Sequence, residues 1–303
     1  MKLTKNEISF LSNQILENNK IGFFSNVNYN SDGTEESTLK QKGIYKDGKI
    51  SAKDYEILKI VAKPERCTRF ILKDKEFLVE KYAYKSANTL ILAENDNGDM
   101  IFDIPDNFNT TIIELSEFTG MSNIKTSDID VLLLDDEMLV LLAIVDIYRK
   151  KTMYSYWGQE IEYIISLAEI REMIDNPIQN GLLKMIINNY NYAVPKAEII
   201  ENILERLVDK KIIESKNGYA LSKGYEAFAT GFLIPQTVVM LETFNINEKE
   251  EIAIAGMLCV SAGLHDVVSF VFMDGEIQIT SMTGSYMLEI VESFLKCPDI
   301  LGQ

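Results

Sequence analysis

The chain is 303 residues long, 47% hydrophobic and 25% charged, a balance that supports a full core and more chain than one domain usually holds. Its formal charge of −16 and pI near 4.6 argue against nucleic acid or anionic lipid as a partner, since an acidic surface repels both unless it hides a basic patch. Acidity favours solubility and suits a basic or neutral protein partner, and it is also common among bacterial cytosolic proteins.

Taken in chain order, Thr4-Lys5-Asn6-Glu7 reads as a capping box, and Ile8, Leu11 and Ile15 follow at helical spacing. A loop rich in Asn, Ser, Asp and Gly over 28–36 leads to short apolar positions at Leu39 and Ile44, then to a turn at Asp47-Gly48. Strand patterns are expected over 68–73, 76–84, 89–94 and 100–104, with Lys73-Asp74-Lys75 and Asn95-Asp96-Asn97-Gly98 as turns and a closing helix over 110–118. Asp135 or Asp136 is expected to cap a helix over 138–148. Ile161, Ile164, Ile165 and Ala168 mark another, ended by Asn176-Pro177. Val194-Pro195 is expected to open a helix with a broad apolar stripe of Ile199, Ile200, Ile203, Leu204, Leu207 and Val208. Strands then follow over 236–244, 251–260, 267–273 and 276–281, with Asp274-Gly275 as a hairpin turn, and Met287, Leu288, Val291, Phe294 and Leu295 give a closing helix one apolar face.

The segment at Asp47-Gly48 aligns with that at Asn217-Gly218. Gly48 matches Gly218 and Tyr55 matches Tyr225, both at an offset of 170, while Gly98 matches Gly275 at 177 and Phe118 matches Phe294 at 176. The expected fold class is α+β, with two pseudo-symmetric repeats. Each repeat has winged-helix-like helices, a four-strand antiparallel meander and a closing helix. The first repeat is placed at 1–125, connecting helices at 126–192 and the second repeat at 193–303, one fused unit in which unpaired sheet edges would be costly.

Catalytic signals are sparse. His265 is the only histidine, placed at a strand turn, so a histidine pair for metal does not exist and any Ser/His/Asp or Cys/His site would depend on this one residue. Cys67, Cys259 and Cys297 lack C-x-x-C spacing and read as buried apolar side chains in a reducing compartment. No phosphate-loop, dinucleotide or nucleophile-elbow motif is present. The acids Glu35-Glu36 and Asp135-Asp136-Glu137 read as helix starts and solvated surface, and Asn95 to Asp99 as a hairpin turn, not a calcium loop. The expectation is a protein that is not an enzyme and takes no cofactor or metal.

The first residues carry no signal-peptide pattern, and the apolar runs at 138–145 and 252–264 fall short of the roughly 18 residues a membrane span needs. A cytoplasmic protein without membrane insertion is expected. The segment 199–222 reads as helix, strand, Asn217-Gly218 wing and strand, as in a bacterial regulator. Its Lys196, Arg206, Lys210 and Lys211 are offset by Glu198, Glu201, Glu205, Asp209 and Glu214, so a structural or protein-docking role is favoured over DNA reading. Tyr154, Tyr156 and Trp157, the last being the only tryptophan, lie in an expected linker and either anchor a partner or fill the seam between the repeats. Phe23-Phe24 poses the same alternative.

The opening Leu3-Thr4-Lys5-Asn6-Glu7-Ile8-Ser9-Phe10-Leu11, echoed by Leu134-Asp135-Asp136-Glu137-Met138, together with the duplicated unit, resembles the EspG-type secretion chaperones of type VII systems. The chain is also similar to an uncharacterised Gram-positive family that accompanies type VII secretion genes. The resemblance covers nearly the whole chain and rests on architecture, while the connection over 154–191 departs from a simple duplicated pattern. It implies two related halves about a pseudo-twofold. It further implies a cytosolic chaperone or adaptor that covers the apolar tip of a helical secreted protein or toxin until handover. A winged-helix regulator and an enzyme of another type are the alternatives.

Overall fold

The computed structural model describes residues 1–15, 17–27, 33–73, 78–105, 109–231, 235–246, 249–262 and 266–296. In chain order the first elements are β1 (Lys2–Leu3), α1 (Lys5–Ser12), α2 (Glu35–Gln41), the hairpin β2 (Tyr45–Lys46) and β3 (Lys49–Ile50), and α3 (Ala52–Ala62). Then come β4 (Arg66–Lys73), β5 (Leu78–Ser86), β6 (Thr89–Asp96), β7 (Asp99–Asp103) and α4 (Asn109–Thr119). The middle of the chain holds β8 (Asp130–Leu134), α5 (Asp135–Tyr156), α6 (Leu167–Asp175) and α7 (Leu182–Tyr190). It continues with α8 (Ile200–Asp209), the hairpin β9 (Ile213–Ser215) and β10 (Tyr219–Leu221), α9 (Lys223–Gly231), β11 (Pro235–Ile246), β12 (Ile252–Ala262), β13 (Asp266–Phe272), β14 (Glu276–Thr283) and α10 (Gly284–Lys296). This is an α+β protein whose described strand pairs are antiparallel. Among the described residues no helix is long and apolar enough to cross a membrane.

The chain forms two compact units that do not follow its order. The first takes Met1–Phe118, Val238–Met257 and the chain from Leu288 on; the second takes Thr119–Thr237 and Leu258–Met287. In the first unit the strand order is β1-β7-β6-β5-β4-β11. Strand β11 pairs with β4 from Val238 opposite Lys73 to Asn245 opposite Arg66. Period-two alternation puts Cys67, Tyr84, Ile91 and Phe102 on one sheet face, where Ile8 and Leu11 of α1, Leu39 of α2 and Leu58 and Val61 of α3 close over them. The capping box at Thr4 forms as expected, with Thr4 N–H donating to Glu7 Oε2 at 2.8 Å and Glu7 N–H to Thr4 Oγ1 at 3.3 Å. The turns fall where glycine and asparagine put them: Asp47 and Gly48 take φ of 49° and 76°, and Asn97 and Gly98 take 54° and 95°.

In the second unit β13, β14 and β8 run side by side, with Asp266 opposite Thr283 and Glu276 opposite Leu134. The loop before β8 is held by Asp266, which accepts from the amides and hydroxyls of both Thr126 and Ser127 at 2.5–2.9 Å. Helix α5 is the central strut, buried along Met138 to Val145 and packed against α6, α7 and α8. Its start is tied down by side chains: Glu137 accepts the Leu134 N–H, and Arg206 of α8 and Lys210 just after it reach Asp136 and Glu137 at 2.6–2.8 Å.

Three expected helix boundaries need correction. Helix α5 does not stop at Tyr148 but continues to Tyr156, so Tyr154 and Tyr156 sit on helix, not in a linker, and Asp135 and Asp136 lie in the first turn behind the cap Leu134. Ile161, Ile164 and Ile165 are not helical: Ile165 exchanges both backbone hydrogen bonds with Tyr219 at 2.7 and 2.8 Å, so pairing to β10 overrides the helical spacing, and α6 begins after Ser166. Val194-Pro195 lies outside any helix, and a 3₁₀ turn over Ala197–Ile199 leads into α8, leaving Ile199 exposed while Ile200, Ile203, Leu204 and Leu207 are buried. The stretch over 28–36 also contributes the start of α2, which carries Leu39 into the core. His265, Cys297 and the turn at Asp74-Lys75 lie outside the described residues.

Candidate functional site

The C-terminal end of α5 presents the aromatic cluster. The helix stops at Gly158, whose φ of 80° is the left-handed conformation of a C-terminal glycine. The Trp157 and Gln159 amides fold back to Tyr154 O at 3.1 and 3.2 Å, and the Gly158 amide to Ser155 O at 3.0 Å. This turn leaves Tyr156 and Trp157 68% and 70% exposed. Tyr154 is half-buried, with its ring 6.0 Å from that of Trp157 and the Lys150 ammonium 6.0 Å from its centroid.

Beside this cluster, a cleft of about 510 Å³ opens between α5, α6 and the segment joining them. Its apolar lining is Ile147 and Tyr154 of α5, Ile161 of the joining segment, Met173 of α6 and Ile178 beyond it. Glu160, Glu162, Glu169 and Glu172 surround that lining, together with Lys150 and Lys151. The joining segment is firmly held. Lys151 Nζ donates to the carbonyls of Glu162 and Ile164 at 3.2 and 2.7 Å and pairs with Glu169 at 3.0 Å, Tyr163 packs on Tyr148 with ring centroids 4.8 Å apart, and Ile165 is bonded to Tyr219. Burial pushes the Glu169 carboxyl upward, but the Ser166 amide and hydroxyl and Lys151 outweigh it and hold the group below its ordinary value. Glu160 and Glu162 are exposed, and the basic group nearest the wall, Lys151, is already committed to carbonyls and to Glu169.

A second cleft, of about 330 Å³, lies in the first unit, where the 3₁₀ turn Phe23–Asn26 meets β4, β5, β11 and β12. Phe23, Tyr82, Phe244 and the exposed Ile252 and Ile254 line it. Phe24 is buried in the core, whereas Phe23 is half-buried with its ring 5.1 Å from Phe102. The charged residues lining it are Lys20 and Arg69, and Arg69 bridges Glu80 at 2.7 Å and Glu242 at 3.3 Å.

Among the described residues neither cleft carries a histidine, and Cys67 in the second is a buried thiol whose pKa burial pushes far up, the wrong direction for a nucleophile. Cys259 is likewise buried, its thiol pushed up to about 12. Among the described residues no group of three or more His, Cys, Asp and Glu side chains is placed to hold a metal. These surfaces offer shape, apolar area and charge, the means of binding another molecule. Of the basic residues that a nucleic-acid reader would use, two are occupied: Arg206 holds Asp136 and Glu137, and Lys210 holds Glu137 and the Leu132 carbonyl.

Sequence reasoning singles out Tyr154, Tyr156 and Trp157, and the structure keeps them at one helix end. It does not find Glu160, Ile161, Glu162 and Met173, because the isoleucines at helical spacing point to a helix where an extended wall forms. The one local clue is Gly158, which ends α5 and forces the chain to turn back.

No family model matches the sequence, and no curated protein matches it. Among solved structures, the fold is similar to that of the type VII secretion system chaperone EspG5 of Mycobacterium tuberculosis, seen in complex with the PE25-PPE41 dimer. The match covers 96% of this chain and 93% of that one, with a TM-score of 0.50 and 8% sequence identity, a likeness of fold alone.

Proposed function

We propose that this chain is a non-enzymatic cytoplasmic binding protein, an EspG-like chaperone or adaptor for a substrate of type VII secretion. The observation that carries the reading is the extent of the fold likeness, which runs through 96% of the chain. The EspG neighbour is held with a PE25-PPE41 dimer, and by analogy the partner here is a helical secreted protein or a toxin with a helical head. The order of helix, hairpin, helix, four strands and helix occurs in both halves of the chain, which we read as a divergent duplication of 1–125 and 193–303 joined by 126–192.

Tyr154, Tyr156 and Trp157 are the proposed contact residues. Exposed Tyr and Trp on a rigid helix end give large contact area at little entropic cost, the usual make-up of a binding hot spot. The net charge of −16 speeds encounter with a basic cargo and discourages nucleic acid.

A tagged chain drawn from its own host's cytosol, followed by mass spectrometry, tests the reading. Enrichment of a small helical secreted protein, or of a toxin with such a head, is the expected result. Recovery of a metabolic enzyme complex or of DNA in place of such a protein would remove it.

A further inference from the structure

We propose that the cleft beside α5 is a docking groove for a basic amphipathic helix, with aliphatic side chains entering between Ile147, Ile161 and Met173 and lysines or arginines meeting Glu160 and Glu162. The inference rests on the chaperone reading for the identity of the protein that carries the helix. The chemistry of the helix comes from the groove itself.

Three features of the groove select that occupant. Its volume of about 510 Å³ has an apolar part formed by Ile147, Tyr154, Ile161, Met173 and Ile178, which takes apolar anchors, while charged side chains surround that part. The charges around the opening are unbalanced: Glu160, Glu162, Glu169 and Glu172 outnumber Lys150 and Lys151, and Lys151 is spent on the wall and on Glu169, while Glu160 and Glu162 are exposed beside the opening. An acidic helix would be repelled, and an uncharged one would gain nothing from these carboxylates. The wall that carries Glu160, Ile161 and Glu162 is fixed at both ends, by the Gln159 amide on Tyr154 O before it and by Lys151 and the Ile165–Tyr219 backbone pair after it, so little ordering is needed on binding. A helix laid in a groove contacts it through anchors at i, i+3, i+4 and i+7, with its charged residues flanking them. Trp157, whose ring lies 6.0 Å from that of the lining residue Tyr154, extends the apolar contact beyond the groove. The cleft of the first unit lacks the second feature, because the charged residues that line it, Lys20 and Arg69, are basic.

Trp157 is the only tryptophan, so its fluorescence reports on this corner of the molecule without labelling. The probe is a synthetic tryptophan-free helical peptide with leucines at the anchor positions and lysines elsewhere, titrated at physiological ionic strength. The full-length chain is expected to bind it, and E160Q/E162Q to bind it about five- to thirtyfold more weakly, the loss that two partly screened ion pairs represent. The twin peptide with glutamates for lysines is expected not to bind. E56Q/E117Q, which removes two acids from the first unit, is expected to behave as wild type. Equal binding of the lysine peptide to wild type and E160Q/E162Q overturns the groove. So does undiminished binding of a peptide whose leucines are replaced by serine, which would mark a polycation surface only.

The two readings fail separately. A cargo recovered in full by E160Q/E162Q leaves the chaperone standing and removes the groove. A chain that binds the lysine peptide but draws no helical secreted protein from the cytosol keeps the groove and removes the chaperone.

Discussion

Asp146 lies in the middle of the most apolar stretch of the chain with its side chain fully buried, and it stays there because it has three partners. The Leu182 and Leu183 amides donate to it at 3.0 and 3.1 Å, and Arg149 at 2.6 Å. The carboxylate is thus the cap of a helix it does not belong to, answering the free amides at the start of α7. Burial nevertheless wins and pushes its pKa up, against the pull of Arg149 and the amides. Asp146→Ala leaves those amides and the largely buried Arg149 without their acceptor. It is expected to cost about 3–5 kcal/mol in urea unfolding, and a loss under about 1 kcal/mol would contradict this account. Glu137 behaves in the opposite sense. Burial raises its pKa, but Lys210, the Leu134 amide and Arg206 together lower it below the ordinary 4.5. A carboxyl lowered by folding stabilises the protein above its unfolded pKa, and that stability is lost as pH falls through the lower folded value. Glu137→Gln removes this term, so the variant is expected to lose less stability than wild type between neutral pH and the acid side of 4.5. Parallel pH–stability curves for the two proteins would contradict that.

At the scale of elements, strands and turns are legible in the sequence and helix extents are not. Alternating apolar residues between Asn-Gly and Asp-Gly pairs specify hairpins locally, and the strands fall close to where that pattern puts them. The capping box at Thr4 and the end of α6 at Asn176 are equally local. Helix α5 outruns its expected end because Tyr154-Ser155-Tyr156-Trp157 looks like a surface cluster, whereas the stop signal is Gly158, one residue further on. Ile161, Ile164 and Ile165 mislead for a different reason: a backbone pair to Tyr219, more than fifty residues away in the chain, decides their conformation. The cleft is built from that long-range event, so only its aromatic edge is readable in advance. Two glycines test this architecture. Gly158→Val forces a β-branched residue into a left-handed conformation and is expected to cost about 1–2 kcal/mol by urea titration, with a shift in Trp157 emission as the turn rearranges. A Cβ at Gly181 would collide with the Asp146 carboxylate, so Gly181→Ala is expected to destabilise by about 1–3 kcal/mol. Wild-type stability in either variant would contradict the placement of these turns.

The whole molecule is organised against its own sequence order. Strand β11 and the chain from Leu288 on complete the first unit, although they lie at the far end of the chain. A fragment of residues 1–125 therefore exposes the edge of β4 that β11 covers and loses part of its core, and it is expected to lack a cooperative thermal transition. A fragment that unfolds cooperatively on its own would show that the first unit is self-sufficient. The α+β class and the strand succession are open to sequence reasoning; this interleaving is not, because no local pattern records which distant strand will cover an edge. The acidic surface belongs to the same scale, as a property of the molecule that steers encounter more than it determines fold. The central claim, that the chain keeps a helical secreted protein competent for export, is tested most directly by deleting its gene in the host and following the cargo identified by pull-down. The cargo is expected to fall from the soluble cytosolic fraction and from the culture medium, and to return with the wild-type chain but not with a Tyr156→Ala/Trp157→Ala variant. Unchanged solubility and export of the cargo in the deletion strain would contradict the claim.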